Sequence, residues 1–474
     1  MLFSSITFLF VFLPTVLLVH LLVPQKYRNL TLLLFSLLFY AWGEPKYILL
    51  MLLSILINYV VGIAVGRAKS KAGKRCLLGI AVALNLGILG FFKYYNFFAE
   101  SFNRVVGQAF MPALHVLLPV GISFYTFQAL SYVIDIYRGD IQIQRSFLKM
   151  ALYITCFPQL IAGPIVKYHD IEQQLDDRRV SIQDMACGIK RFCYGLAKKV
   201  LISNAMAGVA DKVFALGETE LTMGVAWIGI ICYTLQIYYD FSGYSDMAIG
   251  LGKMFGFTFI ENFNYPYIAS SIQDFWRRWH ISLSTWFREY LYIPLGGNRK
   301  GLARTYLNLL IVFFMTGLWH GASWNFVVWG LFHGAFLVLE RAWLGKRLAK
   351  SKKGLLILNH VYTMLVVTVA WVFFRADTLG HALYYIRVMF SPGHLAWPVF
   401  SSGYYLTNYL LLTLVAAVLL CGVIQQRYPA MKAASRAIDR PMSRATAVWS
   451  ILLLALSMVT LISGSYNPFI YFRF

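Results

Sequence analysis

The stretch Tyr306-Leu-Asn-Leu-Leu-Ile-Val-Phe-Phe-Met-Thr-Gly-Leu-Trp-His-Gly-Ala-Ser-Trp-Asn-Phe-Val-Val-Trp-Gly-Leu-Phe-His-Gly-Ala-Phe-Leu-Val-Leu339 sets two uncharged, apolar runs on either side of a short junction that contains His320. Runs near the roughly 20 residues needed to cross hydrocarbon recur along the whole chain. Lipid offers backbone groups no hydrogen-bond partner, so such runs must close their bonds internally as helices. The expected fold class is therefore all-α, a polytopic membrane protein.

Composition agrees. Hydrophobic residues make up 59% of the 474 and charged residues 13%, well below the roughly 25% charged share of soluble domains. The 42 Lys and Arg outnumber the 20 Asp and Glu, a net charge of +22. In a soluble chain that excess would suggest nucleic acid. Here the bases crowd into loops between apolar runs, where they fix orientation and face anionic membrane lipids, so no nucleic-acid partner is expected. The six cysteines, at 76, 156, 187, 193, 232 and 421, form neither a CxxC pair nor a Cys/His metal spacing and read as packing residues, with no metal site. The first run, residues 3–22, lacks a basic n-region and a small-residue cleavage site, so it is read as a retained span.

Candidate spans are 3–23, 30–42, 47–66, 76–98, 114–136, 150–165, 187–206, 223–241, 306–320, 324–341, 357–374, 405–424 and 447–463. Three of them, 30–42, 150–165 and 306–320, fall short of a comfortable crossing and suggest re-entrant or broken helices lining a cavity. The loop with Arg67, Lys69, Lys71, Lys74 and Arg75 is placed in the cytoplasm by its charge. Counting from it puts 99–113 outside and 137–149 inside. The basic clusters of 341–353 and 427–444 fall inside, on either side of the base-poor outer segment 376–404, and the tail 464–474 falls on the extracytoplasmic side. Segments 166–200 and 259–305 mix charges, prolines and aromatics and read as amphipathic or partly embedded. With no repeat and no linker, residues 1–474 are expected to form one membrane domain.

Among nine histidines, His320 stands out because Gly317, Gly321 and Ala322 flank it at membrane depth. An ionisable group there is costly and by default functional, although a neutral imidazole bridging two helices is an equal alternative. His333, one run later, reads as packing. His280 lies in Asp274-Phe-Trp-Arg-Arg-Trp-His-Ile-Ser-Leu-Ser-Thr-Trp-Phe-Arg288. This segment is either an interfacial amphipathic helix anchored by Trp276, Trp279 and Trp286, or a basic, aromatic vestibule. In the second case Arg277, Arg278 and Arg288 suit the phosphates of a carrier such as coenzyme A. Asn298 follows in a glycine-paired turn that is a weak phosphate signal by itself. Asp240, Ser242, Tyr244 and Asp246, beside run 223–239, are read as cavity-lining or helix-capping groups, with Trp319 next to His320 in the same lining role. No GxSxG elbow occurs.

The segments Leu118-Pro-Val-Gly-Ile-Ser-Phe-Tyr125, Asp240-Phe-Ser-Gly-Tyr-Ser-Asp-Met-Ala-Ile-Gly250, Trp276-Arg-Arg-Trp-His-Ile-Ser-Leu-Ser284 and Gly317-Leu-Trp-His-Gly-Ala322 together resemble the membrane-bound O-acyltransferase (MBOAT) family. The similarity is greatest to its AlgI-like bacterial polysaccharide O-acetylation branch, and it runs through the whole chain. It implies transmembrane, short re-entrant and amphipathic helices around a central funnel. It also implies that His320 is the catalytic base and His280 a second catalytic position. The branch further implies acetyl-CoA as donor substrate with no bound cofactor, an extracytoplasmic acetyltransferase partner, and residence in the bacterial inner membrane. Asn467-Pro-Phe-Ile-Tyr-Phe-Arg-Phe474 resembles the C-terminal motif of this export group, where Tyr471 matches an acyl-relay tyrosine; the plainer reading is an aromatic belt at the headgroups. A transporter or flippase of a lipid-linked saccharide is the alternative function, and the paired inverted repeats that would mark it are not visible.

Overall fold

The computed structural model describes all residues except 115, 218, 350–355, 393–399, 425–441, 465 and 471–474. Tyr471 and much of the two C-terminal basic clusters thus lie outside the described residues. No strand forms among the described residues. The chain divides into two compact units, residues 1–192 with 247–260, and residues 193–246 with 261–474.

The first unit holds α1 (Phe8–Leu22), α2 (Arg28–Gly43), α3 (Ile48–Arg67), α4 (Lys71–Val106), α5 (Ile122–Arg138), α6 (Phe147–Thr155), α7 (Tyr168–Asp176) and the start of α8 (Ile182–Ala197). Its centre is aromatic: Phe8, Phe12, Phe39 and Phe157 meet at ring separations of 5.3 to 6.2 Å. Where an apolar neighbour is no better a partner than lipid, polar groups supply specificity between helices. Asn58 of α3 and Asn85 of α4 do so here, exchanging amide hydrogen bonds of 3.0 and 2.8 Å. Gly121, at φ +78, starts α5 where a Cβ would stand 2.8 Å from the Leu160 carbonyl oxygen.

The second unit continues α8 through Lys198–Ser203 into α9 (Asn204–Phe214), then α10 (Met223–Met254) as far as Asp246. There follow α11 (Ile272–Arg278), α12 (Ile281–Phe287), α13 (Leu302–His320), α14 (Trp324–Leu344), α15 (Leu356–Arg375), α16 (Leu379–Met389), α17 (Asn408–Val423) and α18 (Arg444–Ser463). Six helices across the described chain, α3, α4, α13, α14, α15 and α18, are long and apolar enough to cross a membrane. The protein is a multi-pass membrane protein.

Every expected span contains helix, with informative differences. The span 306–320 is not short: α13 begins at Leu302, and the Thr305 hydroxyl donates back to the Gly301 carbonyl at 2.8 Å in its first turn. The span 150–165 is indeed broken, at Cys156, ahead of Pro158. α10 runs on past 241, so Asp240–Asp246 lies within a helix and does not cap one, as the cap reading had it. The base-poor segment 376–404 holds the helix α16.

α13 and α14 touch backbone to backbone. A Cβ on Gly317 would stand 2.2 Å from the Phe326 carbonyl oxygen, and one on Gly330 2.2 Å from that of Phe313. Backbone cannot swing aside as a side chain can, so Gly317→Ala is expected to destabilise the protein by about 1–3 kcal/mol or more. Gly79→Ala, in α4 with nothing within 4 Å, is the control and should be near neutral. Thermal unfolding of the two variants in detergent tests this; equal midpoints would refute the close crossing.

Candidate active site

α13 ends on His320 because the next residue, Gly321, turns to extended backbone at φ −165. The imidazole is 5% exposed and is walled by aromatic rings. Trp319 and Trp329 lie 5.0 Å away, Phe374 5.1 Å and His280 6.4 Å, centroid to centroid. A cavity of about 10 Å³ remains beside it, lined also by Phe241, Trp279, Trp371 and Ile470. That volume admits a water and little more.

His280 sits at the break between α11 and α12 in a left-handed conformation, φ 45 and ψ 55. A non-glycine residue there carries roughly 1–2 kcal/mol of backbone strain, so the surroundings must impose it. They do: Ile281 N–H donates to the Asn262 carbonyl at 3.0 Å, and Asn264 N–H to that of Arg278 at 2.9 Å. The ring packs edge-on to Phe241 at 4.7 Å. Burial pushes its pKa down to about 3, so the imidazole is neutral. Nδ1 lies 3.1 Å from Asn262 Oδ1, and Nε2 has no hydrogen-bond partner among the described residues.

The segment from Asp274 to Arg288 is therefore two short helices meeting at a strained turn, and not one interfacial helix. Trp276, Trp279 and Trp286 are all buried, which removes the interfacial-anchor reading. Glu340 of α14 holds α11 in place, its carboxylate accepting from the N–H groups of Ile272 at 2.7 Å and Gln273 at 3.0 Å. His333 accepts from Trp276 Nε1 at 3.3 Å, which makes its packing role concrete.

A second cavity, of about 430 Å³, is lined by Trp276, Arg277, Ser284, Thr285, Arg288, Val312 and Phe313, among others. Two of the three arginines expected at a donor site face it. Arg278 lines neither cavity; its Nε donates to Asp274 at 2.9 Å and its Nη1 to the Asn264 carbonyl at 3.3 Å. Trp279 belongs with His320, and Asn298 is exposed in its turn.

The carboxylates of Asp240 and Asp246 pair with Lys199 at 2.7 Å and Lys198 at 2.6 Å. Asp240 Oδ2 also accepts from the backbone N–H of Ile470 at 2.9 Å, while Lys199 donates to the Pro468 carbonyl and Phe469 packs on Tyr244 at 4.9 Å. Residues 468–470 are thus drawn inside, with Phe469 and Ile470 about 5% exposed or less, and are no headgroup belt. Of the groups expected to line a cavity, Asp240 and Tyr244 hold this segment, and neither they nor Ser242, Asp246 and Trp319 line the two cavities described. Lys198, Lys199 and Asn262 were not foreseen. For the lysines a signal existed, two adjacent charges inside the apolar run 187–206.

The sequence profile of the membrane-bound O-acyltransferase family matches residues 141–376, a range that includes both His280 and His320. A probable alginate O-acetylase AlgI of Azotobacter vinelandii is 42% identical over the full length of both chains, and one of Pseudomonas putida 44% over the same extent. The chain belongs to the membrane-bound O-acyltransferase family. A peptidoglycan O-acetyltransferase of Helicobacter pylori is 39% identical over 82% of this chain and 80% of its own. In this AlgI-like acyltransferase His280 and His320 are both buried with their rings 6.4 Å apart, one on a strained turn and one at a helix end.

Proposed function

We propose that the protein takes acetyl groups from acetyl-CoA at the cytoplasmic face of the bacterial inner membrane and passes them outward. There a separate extracytoplasmic acetyltransferase completes O-acetylation of an exported or cell-wall polysaccharide. The alginate and peptidoglycan named for its relatives are the acceptor classes. Trp276, Arg277 and Arg288 suit a donor with phosphates and a flat ring, since guanidinium forks grip phosphate and tryptophan stacks on bases.

The chemistry assigned to His320 is general base catalysis. It removes the proton from an attacking hydroxyl, a C–O bond forms at the thioester carbonyl, the C–S bond breaks, and the proton returns to the departing thiolate. Dry aromatic walls keep water from intercepting the acetyl group. The observation that carries the outward step is that Ile470 lines the same cavity as His320. The next residue, Tyr471, is on this reading the first acceptor, its phenol becoming an acetyl ester that the partner then discharges.

The test uses full-length protein in nanodiscs with isotopically labelled acetyl-CoA. Mass spectrometry should find the label on the peptide containing Tyr471 while coenzyme A is released. Release of coenzyme A with that peptide unmodified would overturn the relay, and no release above a protein-free control would overturn the donor.

A further inference from the structure

We propose that Asn262 is the positioning residue of His280, holding its proton on Nδ1 and so leaving Nε2 as the bare acceptor of a ring that lies beside the imidazole of His320. The amide orientation decides this. Ser282 N–H, which can only donate, lies 3.2 Å from Asn262 Oδ1, so the oxygen must face that way. The amide nitrogen, on the other side, donates to Ser245 Oγ at 3.2 Å. The Ser282 hydroxyl also donates to the oxygen, at 2.9 Å. His280 Nδ1 stands 3.1 Å from that same acceptor. Two lone pairs would repel at this distance, and the Ser282 hydroxyl, 3.5 Å from Nδ1, has its shorter bond to Asn262 Oδ1, so Nδ1 is assigned the hydrogen. A neutral imidazole has one N–H, which leaves Nε2 as the acceptor.

Asn262 acts twice. Its main-chain carbonyl receives Ile281 N–H and fixes the left-handed turn, and its side chain fixes the tautomer. The bare nitrogen is buried, its ring facing Phe241, Trp319 and the imidazole of His320. The strained turn thus ends in a ring nitrogen with no hydrogen-bond partner among the described residues. It is the arrangement wanted for a nitrogen that accepts a proton or a hydrogen bond from substrate. The consequence for rate rests on the acyl-transfer reading above; the tautomer does not.

Two readouts keep the questions apart. Solid-state nitrogen NMR of full-length protein labelled at histidine, with His280 assigned by its absence in His280→Gln, should show Nδ1 protonated and Nε2 bare. Asn262→Asp should keep that tautomer and Asn262→Ala should lose it. A protonated Nε2 in the unmodified protein, or an unchanged His280 signal in Asn262→Ala, overturns the proposal. In the acetyl-CoA assay Asn262→Ala should lose at least about tenfold in rate. Asn262→Asp should recover part of it with the acid limb of the pH profile moved up by about one unit, because a carboxylate beside Nδ1 favours the imidazolium. Full activity and an unshifted limb in both variants would reduce Asn262 to a structural residue. An inactive unmodified protein would count against the donor, with the spectrum still judging Asn262.

Discussion

His320→Ala is expected to lower acetyl transfer by about two to four orders of magnitude, the range a positioned general base contributes. The loss should fall on kcat, with KM for acetyl-CoA nearly unchanged, because the proton is taken only as the transition state forms. The donor contacts assigned to Trp276, Arg277 and Arg288 lie in the other cavity and should survive. His320→Gln, which fills more of the space, separates chemistry from packing: it should be as inactive as the alanine variant while unfolding nearer to the unmodified protein. A variant with normal kcat and raised KM would show that His320 only binds.

Lys199→Met is expected to lose about 3–5 kcal/mol of stability, the cost of leaving a buried charge without its partner. Both side chains of the Lys199–Asp240 pair are 3% exposed or less, so the modest value of a surface pair does not apply. Two further bonds hang on the pair, from Lys199 to the Pro468 carbonyl and from Ile470 N–H to Asp240. The variant should therefore also release residues 468–470 and, with them, the wall beside His320. In Lys199→Met with Asp240→Asn, the neutral amide still accepts from Ile470 N–H and no charge is stranded. Much of the stability should return, giving a large coupling between the sites. Thermal unfolding of the single and double variants measures this; additive losses would mean that the two residues do not act as a pair.

The helices were legible because lipid imposes one rule on every apolar run, and the runs on either side of His320 obey it. His320 was legible for a related reason, since an ionisable group between small residues at depth is rare. The arrangement around it depends on distant pieces of chain. Asp240 reads as a cap until Lys199, 41 residues earlier, is seen beside it. Asn262 is 18 residues from His280 and joined to it by a turn whose handedness no residue type announces. The tail reads as a headgroup belt because its anchors are partly main-chain groups of Pro468 and Ile470, which are the same in any sequence. The fate of Arg278 was open to reading, as Asp274 stands four residues before it on one helical face.

The rings that enclose His320 also make the chamber visible to light. Trp279, Trp329 and Trp371 line its cavity and Trp319 adjoins it, a third of the twelve tryptophans in the chain. Indole emission shifts to longer wavelength when water reaches it. Because the cavity has room for little more than one water, entry of an acetyl group on the proposed function has to part these rings, and a red shift of indole emission on adding donor is the expected optical signal of that opening.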